Sequence, residues 1–171
     1  IFRIKEDGSV LLKDVAKVGG SFFTQTADAT ISNTTTETTL TNTGVGTLTI
    51  PADYFQAGQT YIVRARGYFS TNGTTPNLNL RVKVGGTTVV STTAFAVQDL
   101  GGLNETWDLQ FEFTARTTGG SGTAIGQGDF KYCPIHLNCR TVDLLNTSTF
   151  TVNTTTTNAI NLTAEWGAAS A

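Results

Sequence analysis

The chain has 171 residues and a mass of 18.1 kDa, the length of one ordinary domain. Threonine dominates with 34 residues, beside 18 glycines and 11 asparagines, while charged residues make up only 14% and the net charge is -2. This composition excludes a mostly helical chain, a basic nucleic-acid coat and a helix-spanned membrane protein, which needs about 20 consecutive apolar residues. Threonine suits strands and Gly and Asn suit turns, so the expected class is all-β.

Residues 1–20 hold seven of the 24 charges. Ile1–Ile4 and Val10–Leu12, with Asp7-Gly8 between them, read as strand, turn, strand. Leu11, Val15 and Val18 also suit a short helix through Asp14 and Lys17. The segment is expected to be a neck or connector, with an edge hairpin of the main domain as the competing reading; residues 21–171 are expected to form that domain. The chain contains no Met, so it is expected to be a fragment, a processed product or the ordered part of something longer.

From Ser21 onward the pattern is β. Leu48 and Ile50 form a short strand closed by Pro51. Tyr61–Phe69 sets Val63, Ala65 and Phe69 against Arg64, Arg66 and Tyr68. Leu78–Val84 alternates with a basic outer face, and Gly85-Gly86 turns it back into Thr87–Thr93. In Trp107–Arg116, Trp107, Leu109, Phe111 and Phe113 point one way and Asp108, Gln110, Glu112, Thr114 and Arg116 the other. Phe150 and Val152 start another strand, and Ile160–Trp166 ends the series. Seven to nine such strands, each with one apolar face and separated by Gly and Asn turns, predict two antiparallel sheets packed as a sandwich. The threonine runs Thr34–Thr36 and Thr154–Thr157 are expected to dress an exposed sheet face with hydroxyls.

Chemistry-bearing clusters are few. Cys133 and Cys139 flank the chain's only histidine, His136. Three readings stand side by side: a short disulfide loop, two reduced buried thiols, or zinc ligation completed by symmetry. A serine triad has no elbow motif to use, and a Cys/His pair here lacks an orienting acid. Asp108 and Glu112 lie about 13 Å apart along one strand, beyond the separations of glycosidase carboxylates. Arg64, Arg66, Arg81 and Lys83 would share a basic face if their strands paired. Gly119–Gly122 and Gly126-Gln127-Gly128 read as mobile loop. Six Asn-x-Ser/Thr sequons, at Asn33, Asn72, Asn104, Asn146, Asn153 and Asn161, are too small an excess over chance to imply glycosylation.

Three stretches carry a resemblance. Thr49–Tyr61 (TIPADYFQAGQTY) resembles the "IPA-x-x-F-x-x-G" segment of viral jelly-roll domains. Val152-Asn153-Thr154 with Thr157-Asn158 is similar to the strand that precedes the close of the same family's domain, and Asn161–Gly167 (NLTAEWG) resembles its ending. The resemblance covers roughly residues 24–171. It implies an antiparallel jelly-roll β-sandwich of the kind found in bacteriophage head fibres, spikes, decoration proteins and tail-fibre heads, similar in topology to the trimeric heads of tumour-necrosis-factor-like proteins. The expected function is that of a non-enzymatic, surface-exposed virion structural protein. Its expected partners are itself as a homotrimer, other virion proteins and a host-surface glycan or receptor, with no nucleic acid and no membrane span. No catalytic residue, metal or cofactor is expected. The loops Ser70–Pro76, Asp99–Glu105 and Thr117–Gln127 are the expected contact loops, through Asn72, Gly73, Gly101, Gly102, Asn104, Gly120, Ser121 and Gly122. The alternatives are a carbohydrate-binding β-sandwich, which would expose Trp107 or Trp166 beside Tyr54 or Tyr68, and a glycan-cleaving enzyme, which would pair two carboxylates in a cleft.

Overall fold

Period-two alternation decides where the strands run and which side of each is buried. The computed structural model describes residues 2–4, 10–12, 22–32, 34–71, 75–98, 104–133 and 138–168. Among them every regular element is a strand: β1 (Phe2–Ile4), β2 (Val10–Leu12), β3 (Phe23–Gln25), β4 (Thr38–Thr39), β5 (Gly44–Gly46), β6 (Thr49–Ile50), β7 (Thr60–Phe69), β8 (Asn77–Val84), β9 (Thr87–Ser91), β10 (Phe95–Ala96), β11 (Glu105–Thr117), β12 (Gly122–Tyr132), β13 (Arg140–Leu145), β14 (Phe150–Val152) and β15 (Asn158–Trp166). All pairings are antiparallel.

Two large sheets form the domain. The first runs β10-β8-β15-β4, with β9 paired to β8 and β6 to β15; the second runs β13-β12-β11-β7, with β14 paired to β12. The sheets pack face to face as an antiparallel β-sandwich. Leu78, Leu80, Val82 and Val84 of β8 and Leu162 and Ala164 of β15 supply one inner face; Leu109, Phe111, Phe113 and Ala115 of β11 and Phe130 and Tyr132 of β12 supply the other. Phe95 of the first sheet bridges the layers, its ring centroid 5.8 Å from Phe130 and 6.1 Å from Tyr132. At the bulge in β9, Val82 faces Val90 while Lys83 faces Thr88, so one extra residue turns both Val89 and Val90 into the core. The turn between β8 and β9 uses Gly85 and Gly86 at φ 59° and 83°, left-handed positions that suit glycine in a two-residue hairpin.

At the N-terminus β1 pairs with β2, Phe2 opposite Leu12 and Ile4 opposite Val10. The strand reading of these residues is therefore the observed one. The Asp7-Gly8 turn, the alternative helix through Asp14 and Lys17, and the boundary between residues 20 and 21 lie outside the described residues.

The structure corrects the loop reading of residues 122–128. They belong to β12, in continuous register with β11 from Ala124 opposite Ala115 to Tyr132 opposite Trp107. The glycines are there for room. A Cβ on Gly126 would lie 2.7 Å from the ring of Phe111, and one on Gly128 would lie 2.7 Å from the Cα of Phe111. Large residues of β11 thus face small ones of β12, and the ring covers the glycine backbone. Likewise the indole of Trp107 lies over Gly67, its cross-strand partner.

The threonine runs are also corrected. Neither Thr34–Thr36 nor Thr154–Thr157 lies in a strand. Thr154 is buried: its Oγ1 accepts from the N–H of Gly119 at 2.7 Å, and its N–H donates to the Gly119 carbonyl at 3.0 Å. Asn153 Oδ1 accepts from the backbone N–H and the hydroxyl of Thr155, at 3.0 and 2.7 Å. Buried Asn158 donates through Nδ2 to the carbonyls of Asn153 and Thr156, both at 2.8 Å. The run is a hydrogen-bonded turn, because these side chains compete with the ladder for backbone groups. Cross-strand hydroxyl pairs do occur at isolated positions: Thr60 with Thr114 at 2.7 Å and Thr117 with Thr123 at 2.9 Å.

Candidate interaction surface

A sandwich has two outer faces, and here they differ. On the outer face of the first sheet the charges are paired within the chain. Residues 37–41 run along β15, with Thr39 opposite Thr163. Glu37 reaches over the sheet, where Oε1 binds the Lys83 ammonium and accepts from Thr163 Oγ1 at 2.7 Å; Oε2 lies 3.4 Å from Arg81 Nη1. Arg81 Nη2 also pairs with Glu165 Oε2 at 2.7 Å. Thr39 and Thr41 both donate their hydroxyls to Asn161 Oδ1, at 2.6 and 2.9 Å.

The hydrogen bonds from Lys83 and Thr163, helped by the nearby charges of Lys83 and Arg81, hold the Glu37 carboxyl below its ordinary value of 4.5. A carboxyl whose folded pKa is depressed stabilises the fold above its unfolded pKa and loses that contribution as pH falls through the folded one. Glu37→Gln is therefore expected to cost roughly 1 kcal/mol at neutral pH. Its denaturant midpoint should also fall less than that of the native chain as pH drops below 4.5. Chemical denaturation at pH 7 and in the acid range checks both.

This network corrects the expected basic face. Arg64 and Arg66 lie on β7 of the second sheet, whereas Arg81 and Lys83 lie on β8 of the first. Alternation fixes the side of a strand but not its sheet, and the two strands go to opposite layers.

The outer face of the second sheet is open. Register places its outward side chains in rows across β7, β11, β12 and β13: Ile62, Glu112, Gln127, Leu145; then Arg64, Gln110, Asp129, Asp143; then Arg66, Asp108, Lys131, Thr141. Four large apolar residues stand exposed on this one face: Ile62 at 56%, Tyr68 at 66%, Ile125 at 43% and Leu145 at 60%. Glu112, Thr114, Ile125, Gly126, Gln127, Leu145 and Asn146 line a shallow depression of about 230 Å³. Arg66 pairs with Asp108 at 2.8 Å.

The expected contact loops distribute differently. Asn72, Gly73, Gly101 and Gly102 lie outside the described residues. Asn104 is exposed at the start of β11. Gly120 and Ser121 are exposed in the tight turn between β11 and β12. Gly122 is buried at the start of β12, and a Cβ there would meet Thr117, Val152 and Thr154 at 2.9 Å. Sequence reasoning missed Ile62, Ile125 and Leu145 as surface residues; their outward parity was the available signal.

Cys133 and Cys139 are joined by a disulfide, their Cα atoms 3.9 Å apart; His136 lies outside the described residues. The aromatic platform of a carbohydrate-binding module is not formed among the described residues. Trp107 packs at 5.7 Å from Phe130 and Trp166 at 6.2 Å from Phe69, both on the inner side, while Tyr68 points outward alone. Nor do Glu105, Asp108 and Glu112 assemble a carboxylate pair: Glu105 is buried, Asp108 is engaged by Arg66, and Glu112 is the one carboxylate lining the depression.

No protein-family model, curated protein or solved structure matches the chain. The class that the geometry defines is the two-sheet antiparallel β-sandwich, with the charges of one outer face paired within the chain and the other face open.

Proposed function

We propose that the chain is a non-enzymatic structural protein of a virus particle, a homotrimeric jelly-roll head exposed on the virion surface as a fibre head, spike or decoration protein. The reading rests first on the three resembling stretches. The observation that supports it is the part those stretches play in the sandwich. Ile50, Phe55 and Tyr61 of the first are core residues. The Asn153–Asn158 turn, which connects β14 to β15, is tied to the β11–β12 turn through Thr154. Leu162, Ala164 and Trp166 of the third close the inner face against β8, Trp166 packing on Phe69. These are framework roles, and the surface left over is a wide, rigid sheet suited to contacts with other virion proteins, a host glycan or a receptor.

The experiment is immunogold electron microscopy with an antibody raised to residues 22–168. Label distributed over the surface of intact particles is expected. Particles that carry no label, alongside a control in which the antibody binds the purified protein, would overturn the reading.

A further inference from the structure

The open face carries a pair of like charges in adjacent strands, with Lys131 in the next row as the nearest cation and, among the described residues, no ion pair between it and either acid. Asp129 and Asp143 stand directly opposite each other in the β12–β13 ladder, both exposed. Like charges so placed destabilise a sheet unless a cation joins them. Arg64 sits at the other end of the same row, on β7, separated from Asp129 by Gln110. Among the described residues, Arg64, Asp129 and Asp143 take part in no ion pair. Arg64 lies about 14 Å from Asp143 across three strand spacings, so the row cannot neutralise itself from end to end.

Rotation about an axis parallel to the strands keeps each row level with the same row of the next copy and brings the β7 side of one chain to the β13 side of its neighbour. Two of the three rows then meet a complement. Arg64 faces the Asp129–Asp143 pair, and Ile62 faces Leu145 one row along. At the same time exposed Ile62 and Leu145 leave water. The first sheet offers no such surface, because Glu37 and Glu165 already neutralise Arg81 and Lys83 there.

We infer that the outer face of β13-β12-β11-β7 is the interface between copies of this chain, with Arg64 of one copy held by Asp129 and Asp143 of the next around an axis parallel to the strands. The inference rests on the trimeric-head reading and names the surface that makes the trimer.

The test is sedimentation equilibrium of the native chain, of Arg64→Asp, of Asp143→Arg and of the double variant carrying both changes, with circular dichroism to confirm that each is folded. All these positions are exposed, so the fold should tolerate them. The native chain is expected at three times the 18.1 kDa chain mass. Each single variant should weaken association at least tenfold, and the double variant, with its charges exchanged, should recover it. Association that is unchanged in both single variants would overturn the interface while leaving a self-assembling head in place. A native chain that stays monomeric at every concentration would remove the reading beneath it. Leu145→Glu supplies an independent check: folded and dissociated supports the face, folded and fully associated contradicts it.

Discussion

Phe113→Ala is expected to lower the unfolding free energy by about 3–5 kcal/mol, close to the whole margin of many small domains. Phe113 is essentially inaccessible at the centre of β11. Its ring stacks on Tyr61 at 5.0 Å and 15°, and meets Phe111 at 5.9 Å, Phe150 at 6.0 Å and Phe55 at 6.5 Å. These partners come from β7, β11, β14 and the segment before β7, so truncation opens a cavity where four parts of the chain meet. The surrounding strands are hydrogen-bonded on both sides of β11 and cannot collapse into the gap. Thermal and denaturant unfolding followed by circular dichroism measures the loss. A change below 1 kcal/mol would contradict the packing described.

Gly128→Val should be comparably damaging for the opposite reason. A Cβ at this position falls within contact of the carbonyl oxygen of Gln110 and 2.7 Å from the Cα of Phe111, both backbone atoms of the adjacent strand. No rotamer change relieves a clash with backbone, so β11 and β12 must separate at this point of the ladder. Overpacking of this kind costs roughly 1–3 kcal/mol or more. Gly120→Ala is the control. Nothing lies within 4 Å of a Cβ there, and the turn should accept it with a change within about 0.5 kcal/mol. Equal losses in the two variants would show that glycine is needed for chain flexibility, not for room.

β11 and β12 show how far the sequence could be read. Trp107–Arg116 was legible as a half-buried strand because the apolar residues alternate without interruption, and the burial of Leu109, Phe111 and Phe113 follows that parity. β12 carries the same period two in Gly122, Ala124, Gly126, Gly128, Phe130 and Tyr132, but four of these side chains are too small to register as an apolar stripe. Their meaning exists only beside Phe111 and Phe113, which are distant in sequence until the hairpin forms. The Arg64 and Arg81 strands were legible one by one, yet their assignment to opposite sheets depends on β8 pairing with β15 at the far end of the chain. The open face was hidden for a related reason. Ile62, Ile125 and Leu145 lie on three strands and come onto one face through register alone. Asp129 and Asp143, fourteen residues apart, become a like-charge pair in the same way.

The central claim is that β7 of one copy lies beside β13 of the next, and disulfide trapping tests it most directly. Arg64→Cys and Asp143→Cys placed in the same chain stand about 14 Å apart across the sheet, too far for an internal bridge, whose Cα atoms must lie within about 7 Å. Any new disulfide between them therefore joins two copies. After mild oxidation and denaturation without reductant, the account predicts a closed covalent species of three chains that forms efficiently even at low protein concentration. Recovery of single 18.1 kDa chains alone, from a variant shown to be folded, would contradict it.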